Sequence, residues 1–408
     1  MGGSNTKEIR ERRLSPIHKR ILELRADFGT NRQDSDWSDT NSDDLSGLDF
    51  NLATMFDACK YGHSHVLSRL IEQGCDVTAS TPTLQTPLHL AAGSGHLECC
   101  QILLSTGRVD LDACNCKRLT VLHLACFYGF SDVTELLLRS GHKCDPRDKR
   151  GRTPLHLATA KGFSECVSLL LRHGADPTLM DDKARNSLHR ACQSGLPEMV
   201  NDLLEHGAGQ DLELRDKEGK TALSTACEFS HFEVVKLLHD RGADLFTRDK
   251  EGLSMLHHGC DHEALTRFLV AHGCDLDPMD DSCMAPLHYA AGEGYTNSVK
   301  ILINSGAHVN IRNAQRWTPL HYASEVGHYE IAQALLNHNA SPNIKDESGR
   351  TPLHYAIIRG HDSTCQLLIN HGADVNARDL SGGSLLYYAF SHGQYHITPI
   401  LNKHGAKM

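Results

Sequence analysis

The chain has 408 residues and a formal net charge of −10, with 40% hydrophobic, 23% charged and only 6% aromatic residues. This composition is typical of a globular protein with an aliphatic core, and the acidic excess argues against nucleic-acid binding along the whole chain. No apolar run is long enough to span a bilayer, and 15 scattered cysteines indicate free thiols in the reducing cytoplasm.

Residues 1–29 form a basic N-terminal segment with an amphipathic pattern. One face of a predicted helix after Ser15 and Pro16 carries four apolar residues, Ile17, Ile21, Leu24 and Phe28. The apolar face needs a partner, and two alternatives remain open. The helix either covers the start of the folded region that follows or lies on a membrane surface.

The first residues match the Met-Gly-x-x-x-Ser/Thr pattern for N-myristoylation, with Gly2 as the acceptor. A single myristoyl chain holds a protein at a membrane only weakly, and a basic patch supplies the second signal. Six lysines and arginines follow within the first 20 residues. The sequence therefore predicts modification of Gly2 and peripheral association with the cytoplasmic face of a membrane.

Residues 30–49 are rich in Ser, Asp, Asn and Gly, a composition that predicts an acidic, disordered linker. Hydroxyl side chains in this linker and in the preceding segment are predicted phosphorylation sites. They are Ser15, Ser35, Ser38, Thr40 and Ser42.

One sequence block recurs along the rest of the chain. Near-identical copies of Thr-Pro-Leu-His-(Leu/Tyr)-Ala begin at Thr86, Thr153, Thr318 and Thr351. Degenerate copies bring the total to eleven repeats, at a mean period of about 33 residues. The degenerate copies begin at Ala53, Thr120, Asn186, Thr221, Ser254, Ala285 and Ser384.

Each repeat is predicted to form two short helices. Thr86 can cap the first helix, and Pro87 suits the first helical position because its missing N–H costs nothing there. Gly95 and His96 break the helix, and the second helix ends before a glycine such as Gly174 that can adopt a left-handed conformation. One such pair cannot bury its own apolar face, so stacked neighbours must supply the core.

From about residue 50 to its end, the chain resembles ankyrin-repeat proteins in this motif and period. The resemblance implies an all-α solenoid of stacked helix-turn-helix units with β-hairpin loops over residues 50–408. It also implies a non-catalytic scaffold or adaptor that binds proteins in its concave groove. The alternative is a substrate receptor for a ubiquitin ligase or a regulatory subunit of an enzyme complex. Such families usually carry a further C-terminal box, for which we expect no room after the last helix.

The repeat register gives most histidines and several cysteines structural positions. Cysteines that follow the first-helix alanine are expected to pack in the core. They are Cys59, Cys126, Cys192, Cys227 and Cys260. Eight of the 28 histidines occupy the fourth position of the block. They are His89, His123, His156, His189, His257, His288, His321 and His354.

Repeat seven, residues 254–284, is irregular. Leu256 and Phe268 are 12 residues apart, whereas Leu88 and Leu103 of repeat two are 15 apart. No Gly-His pair separates the two helices. We therefore expect this repeat to lack about one helical turn and to open locally more readily than its neighbours.

In ankyrin-like repeats the groove is lined by hairpin tips and by the solvent side of the first helix. In repeats three to five these positions are mostly basic with two aromatic residues. Trp, Tyr and Arg dominate protein interfaces, so we predict an acidic or mixed-charge protein segment as the partner. The alternative, that the charged tips are merely solvated, stays open. The candidate contact residues are Lys117, Arg118, Phe127, Tyr128, Arg150, Arg152, Lys161, Arg185, Arg316 and Trp317.

The chain contains no recognisable phosphate-binding loop, nucleophile elbow or zinc-protease helix. We expect no catalysis, cofactor, metal, nucleic acid or small-molecule substrate. In the best metal candidate, the histidine-rich stretch of repeat seven, only His258 and His262 would share a helical face.

Asn376 is a predicted modification site. It follows Asp374 and Val375 directly and lies eight residues after Leu368. This arrangement is similar to the asparagine site that the hypoxia-related asparaginyl hydroxylase modifies in ankyrin repeats, and it implies hydroxylation of Asn376.

Overall fold

The computed structural model describes residues 50–408, which contain 22 α-helices in eleven consecutive pairs and no β-strand. Residues 50–244 and residues 245–408 form two compact units, here called the N-terminal and C-terminal units. The predictions for the basic segment, the acidic linker and their modification sites lie outside the described residues. These sites are Gly2, Ser15, Ser35, Ser38, Thr40 and Ser42.

The N-terminal unit holds repeats one to six, each with a first and a second helix. A 3-10 turn at Ala208–Gln210 takes up extra residues between repeats five and six. The helices are α1 Phe50–Tyr61, α2 Ser64–Glu72, α3 Pro87–Gly93, α4 Leu97–Ser105, α5 Val121–Tyr128, α6 Ser131–Arg139, α7 Pro154–Lys161, α8 Ser164–Arg172, α9 Ser187–Ser194, α10 Pro197–Glu205, α11 Ala222–Glu228 and α12 Phe232–Asp240.

The C-terminal unit holds repeats seven to eleven in the same arrangement. A 3-10 turn at Tyr395–Ile397 precedes its last helix. The helices are α13 Met255–Gly259, α14 Glu263–Ala271, α15 Pro286–Glu293, α16 Thr296–Asn304, α17 Pro319–Val326, α18 Tyr329–Asn337, α19 Pro352–Arg359, α20 Asp362–Asn370, α21 Leu385–Ser391 and α22 Thr398–Lys403.

The predicted start of the first helix is confirmed in repeat two. Thr86 is extended and its side chain accepts a hydrogen bond from the His89 backbone N–H, while His89 Nδ1 accepts one from the Thr86 N–H. This reciprocal cap satisfies two donors that a helix N-terminus would otherwise leave unpaired. Gly95 follows the helix in a left-handed conformation, with φ 78°. A Cβ at this position would lie 2.6 Å from the Phe130 ring.

The same histidine also connects repeat two to repeat three. His89 is fully buried and its Nε2 lies 3.1 Å from the carbonyl oxygen of Leu119, in the following hairpin. Because a carbonyl can only accept, the ring proton lies on Nε2, and Nδ1 is left to cap its own helix. The structural role predicted for these histidines is confirmed. Equivalent bonds join His123 to Arg152, His156 to Arg185, His189 to Lys220, His257 to Met284, His288 to Trp317 and His321 to Arg350.

The core between stacked repeats is aliphatic, as the composition predicts. It is built from fully buried leucines such as Leu88, Leu122 and Leu155, and the five cysteines after the first-helix alanine are all buried. Burial raises the pKa of the Cys192 thiol, so this side chain stays protonated and behaves as a small apolar residue.

Repeat seven is shorter than its neighbours, but the predicted loss of a whole turn is wrong. Leu269, rather than the half-buried Phe268, is the buried counterpart of Leu103. It lies 13 residues after Leu256, so the repeat lacks two residues, about half a turn. Helix α13 accordingly has five residues, whereas α7 has eight.

Gly259 and His262 accommodate this deletion. A Cβ on Gly259 would lie 2.6 Å from Leu265 Cδ2, so only glycine allows the second helix to approach so closely. His262 caps that helix, because its side chain accepts a hydrogen bond from the Leu265 N–H at 3.3 Å. Faster local opening of this repeat stays a prediction.

The buried histidines predict that the fold is sensitive to acid. Burial lowers the pKa of all eight to about 4, against about 6.5 in an unfolded chain. The unfolded chain therefore takes up these protons first, and stability present above pH 6.5 is lost as the pH falls towards 4. We expect the urea midpoint to fall steeply over this range.

A matched control comes from repeat six, in which Ser224 replaces the histidine and completes the cap with Thr221. His321→Ser should therefore lower stability at pH 7.5 but reduce the pH dependence, because one titrating group is removed. A urea midpoint that stays constant from pH 7.5 to pH 4.5 would contradict this account.

Candidate protein-interaction surface

The hairpin tips of repeats three to five are held in a row by their backbones. The Lys149 N–H donates to the Lys117 carbonyl at 3.2 Å, and the Asp182 N–H donates to the Arg150 carbonyl at 3.0 Å. We call the hairpins and first helices within residues 115–195 the basic surface. Its side chains are displayed at the regular spacing of the repeats.

Each hairpin is organised by a buried polar side chain at its start. Asn115 Oδ1 accepts hydrogen bonds from the N–H groups of Lys117 and Leu119, at 2.9 and 3.0 Å. This closes a tight turn in which Arg118 is left-handed and exposed. Arg150 is exposed at the equivalent tip of repeat four, and Lys117 is half-buried.

The Arg152 side chain stabilises the hairpin rather than extending into solvent towards a partner. Its Nη2 lies 2.8 Å from Asp148 Oδ2, and the two side chains are only 13% and 2% exposed. Arg185 forms the same pair with Asp181 in the next repeat, at 3.2 Å. The structure therefore gives both predicted contact residues a supporting role.

Arg190 was not among the predicted contact residues, although it belongs to this surface, in the first helix of repeat five. Its Nη2 is 2.8 Å from Asp181 Oδ2, the oxygen that Arg185 also contacts. Two guanidinium groups thus share one carboxylate. Burial, together with the positive charge of Arg185, lowers the pKa of Arg190 to about 10. The signal in the sequence is an arginine at the fifth position of the block, where repeats two to four have leucine.

The predicted aromatic residues of repeat three divide into a core residue and a surface residue. Phe127 is 8% exposed and packs in a cluster with Leu119, Leu124 and Leu157. Tyr128 is 36% exposed and stands edge-on to Phe127, with ring centroids 5.0 Å apart. The predicted Lys161 lies over the Phe127 ring, with Nζ 4.8 Å from the centroid. Tyr128 and Lys161 are therefore the groups that a partner can reach here.

Arg316 and Trp317 belong to the C-terminal unit and are not part of the basic surface. Arg316 is an exposed tip residue in a left-handed conformation. Trp317 is half-buried between Tyr322 and Tyr355, at centroid distances of 4.9 and 4.4 Å.

The fifth block position carries tyrosine throughout repeats eight to eleven. The Tyr289 hydroxyl donates to Asp280 at 2.6 Å, and the Tyr355 hydroxyl donates to Asp346 at 2.5 Å. Among residues 50–408 neither carboxylate forms an ion pair, whereas Asp148 and Asp181 are paired with arginine. The hairpins of repeats eight and ten therefore keep a negative charge that arginine neutralises in repeats four and five, whereas repeat nine has the neutral Asn313 and Asp379 of repeat eleven pairs with Arg350.

The histidines considered for metal binding have separate structural partners. His258 Nε2 lies 3.1 Å from Asp249 Oδ2, with both side chains buried, while His262 caps its own helix. Among the described residues, no three His, Cys, Asp or Glu side chains are grouped to hold a metal ion.

Asn376 forms hydrogen bonds with the following loop. Its Nδ2 donates to the Gly405 carbonyl at 3.3 Å, and its Oδ1 accepts from the Lys407 N–H at 2.8 Å. The side chain is exposed, and its hydroxylation stays a prediction. Asn343 makes the same pair of bonds one repeat earlier.

The family model described as "Ankyrin repeats (3 copies)" matches residues 55–148, 131–213, 188–280, 261–346 and 338–408. The chain belongs to the ankyrin-repeat family. Such repeats are protein-interaction modules, and their stacked surfaces bind other proteins. Within residues 50–408, none of the helices combines the length and the apolar character needed to cross a bilayer.

Three curated proteins are each similar to about a quarter of the chain. A Caenorhabditis elegans homologue of transient receptor potential cation channel subfamily A member 1 is 35% identical over 96 residues, 24% of this chain and 8% of that protein. Human ankyrin repeat and KH domain-containing protein 1 is 35% identical over 98 residues, 24% of this chain and 4% of its own. Ankyrin repeat and SOCS box protein 11 of Danio rerio is 32% identical over 100 residues, 24% of this chain and 33% of that protein. The chain thus spans a third or less of each relative.

Charge reversal should separate the structural arginine from the tip arginine. Arg152→Glu would place a second carboxylate against the buried Asp148, so we expect a loss of about 3 kcal/mol in unfolding free energy. Arg150→Glu, at an exposed tip two residues away, should change it by no more than about 0.5 kcal/mol. Urea unfolding of the two variants measures the difference, and equal stabilities would rule out the structural role of Arg152.

Proposed function

We propose that this protein is a non-catalytic scaffold or adaptor that binds an acidic or mixed-charge segment of another protein on the basic surface. The observation that carries the proposal is the sharing of Asp181 by Arg185 and Arg190. One carboxylate cannot neutralise two guanidinium groups, so a positive charge remains in a region of low exposure.

A partner carboxylate would compensate this charge. The Arg190 side chain is 15% exposed, and a charge-assisted hydrogen bond from a guanidinium to a carboxylate is the strong kind. The exposed tips at Arg118 and Arg150, in the two preceding repeats, extend the positive potential and would steer an acidic segment towards the surface. Tyr128 adds an aromatic anchor next to them.

The test uses the full chain and a labelled oligoglutamate peptide, with binding followed by fluorescence anisotropy. Arg118→Glu combined with Arg150→Glu should weaken binding at low ionic strength by roughly tenfold or more. The physical reason is that both side chains are exposed tips whose reversal changes the surface potential without removing a buried contact.

The matched control reverses two exposed charges on second helices, Arg172→Glu in α8 and Lys236→Glu in α12. It makes the same change in net charge and should leave the affinity unchanged. If the tip variant and the control bind equally well, the basic surface is not the contact. If wild type does not bind the peptide at all, the acidic partner is rejected.

We further propose that a myristoyl group on Gly2 and the basic segment behind it hold the protein at membranes. The Gly2→Ala variant, expressed in cells with an active N-myristoyltransferase, should lose the added acyl mass and move from the membrane fraction to the supernatant. The control is a variant with the basic residues neutralised, which should keep the acyl mass but bind membranes more weakly. An unacylated wild-type N-terminus in intact-mass spectra would reject the proposal.

A second candidate function is that of a substrate receptor in a ubiquitin-ligase complex. It is favoured by the similarity to a protein that combines ankyrin repeats with a SOCS box. The two candidates predict different binding partners in cells. If the full chain captures ubiquitin-ligase subunits from cells, the receptor is favoured over the adaptor.

A further inference from the structure

Three aromatic side chains are exposed together on repeat eleven. Tyr387 and Phe390 lie about one turn apart on helix α21 and are 55% and 45% exposed. The ring centroid of Tyr395, which precedes the last helix, lies 6.0 Å from that of Phe390, and Tyr395 is 64% exposed. We call these three residues the aromatic face. Contiguous exposed apolar patches often mark interaction sites.

The aromatic face occupies block positions that other repeats bury. Tyr387 stands at the fourth position, where eight repeats have a buried histidine. Such a histidine reaches the following hairpin, as His321 does when its Nε2 lies 3.3 Å from the Arg350 carbonyl oxygen. Phe390 stands at the seventh position, which holds the fully buried Cys126 in repeat three. Repeat eleven therefore exposes a side that earlier repeats cover by stacking.

The glycines of repeat eleven show that this side is open. A Cβ on Gly360 of repeat ten would lie 2.5 Å from the Gln394 side chain of the following repeat. The equivalent Gly393 has the same left-handed conformation, but no described atom lies within 4 Å of such a Cβ. The hairpin glycines differ in the same way, because Gly349 is covered by the next hairpin and Gly382 is open. The side thus has room for a helical neighbour.

The aromatic residues do not suit a further repeat in the usual register. Tyr387 cannot make both hydrogen bonds of the histidine, because it has one hydroxyl in place of two ring nitrogens. Phe390 fills space that the small seventh residue leaves to a close-packed neighbour in the other repeats. Aromatic rings instead offer broad contact area to an amphipathic helix that lies across them. The aromatic face therefore fits a single helix better than another repeat.

The charge of this part of the chain favours an acidic partner. Residues 380–408 contain two lysines and no aspartate or glutamate. One of the lysines, Lys403, is exposed at the end of α22, which packs against α21 and against the turn that begins at Tyr395. Asp362 of the preceding repeat is already engaged, since its Oδ1 lies 3.0 Å from His396 Nε2. An acidic side chain on a docked helix would therefore meet positive charge.

We propose that the aromatic face docks an amphipathic helix of another protein, with its aliphatic side against the three rings and its acidic side towards Lys403. The basic segment of residues 1–29 and a second copy of the same face fit less well, because both would bring positive charge to this lysine. The site lies in the C-terminal unit and does not depend on the function proposed for the basic surface.

The test measures binding of a labelled amphipathic peptide to the full chain by fluorescence anisotropy. The probe has leucines at helical spacing with glutamates between them. Tyr387→Ser combined with Phe390→Ser should weaken binding roughly tenfold or more, because two of the three rings are removed. The matched control, Tyr329→Ser with Phe246→Ser, removes the same two ring types from exposed positions of the same unit. It should bind as wild type does.

Charge variants test the acidic side of the partner. Lys403→Glu should weaken binding of the leucine-glutamate peptide, whereas Lys300→Glu, at an exposed position of the second helix α16, should not. A peptide with lysine in place of glutamate should bind more weakly than the glutamate peptide, although the chain's net charge of −10 favours it.

Two comparisons separate this site from the basic surface. The Tyr387→Ser, Phe390→Ser variant should keep its affinity for oligoglutamate, which has no apolar side. The Arg118→Glu, Arg150→Glu variant should keep most of its affinity for the leucine-glutamate peptide, so that failure of one site is distinguishable from failure of the other. Tyr395→Ser alone decides the case if the double variant proves unstable in urea, and a smaller loss of affinity is then expected.

Four results would overturn the proposal. Equal affinities of the aromatic-face variant and its control would show that the peptide binds elsewhere. Tighter binding of the lysine peptide than of the glutamate peptide would remove the acidic assignment. Self-association of the wild-type chain that disappears in the Tyr387→Ser, Phe390→Ser variant would assign the face to a second copy. Binding of the unacylated chain to phosphatidylserine vesicles that the same variant loses would assign it to a membrane surface.

Discussion

In six of the eleven repeats, one imidazole ring performs two tasks that stabilise the stack. Its Nδ1 closes the cap of the first helix, and its Nε2 donates to a carbonyl of the next hairpin, as His89 does with Leu119. Both bonds need the neutral ring, and burial keeps it neutral. The helix start and the repeat interface are therefore the same polar network, and breaking it exposes a short helix pair that cannot bury its apolar face alone.

A second recurring contact determines the electrostatic character of the hairpin face. The hairpin carboxylate lies nine residues before the fifth block position, and the residue at that position contacts it in repeats five and eight, whereas Arg152 pairs with Asp148 in repeat four. Arg190 brings a surplus positive charge to Asp181, whereas Tyr289 leaves Asp280 negative. One position thus makes the hairpin face basic in repeat five and acidic in repeat eight, without changing the fold.

The repeat boundaries, the capping residues and the structural role of the histidines could all be predicted, because they depend on contacts within a few residues of chain. Repeat seven shows the limit of such reasoning. The spacing from Leu256 to Phe268 predicted a missing helical turn. In the structure Leu269 is the buried residue instead, and the two helices approach closely at Gly259. Which leucine faces the core depends on the rotation of the second helix against its neighbours, and spacing alone does not specify that rotation.

By itself the sequence determined the architecture. A period of about 33 residues with a threonine cap, a proline and two glycine breaks is typical of ankyrin repeats, which stack as helix pairs. It also determined which residues lie at the hairpin tips. Only the tertiary structure decided which of those residues are available to a partner. Arg152 pairs with Asp148 and Phe127 packs in a core cluster, whereas Arg118 and Arg150 are exposed at the tips. The reason is physical: a side chain's availability depends on whether a neighbour already satisfies its charge, and those neighbours come from other turns and other repeats.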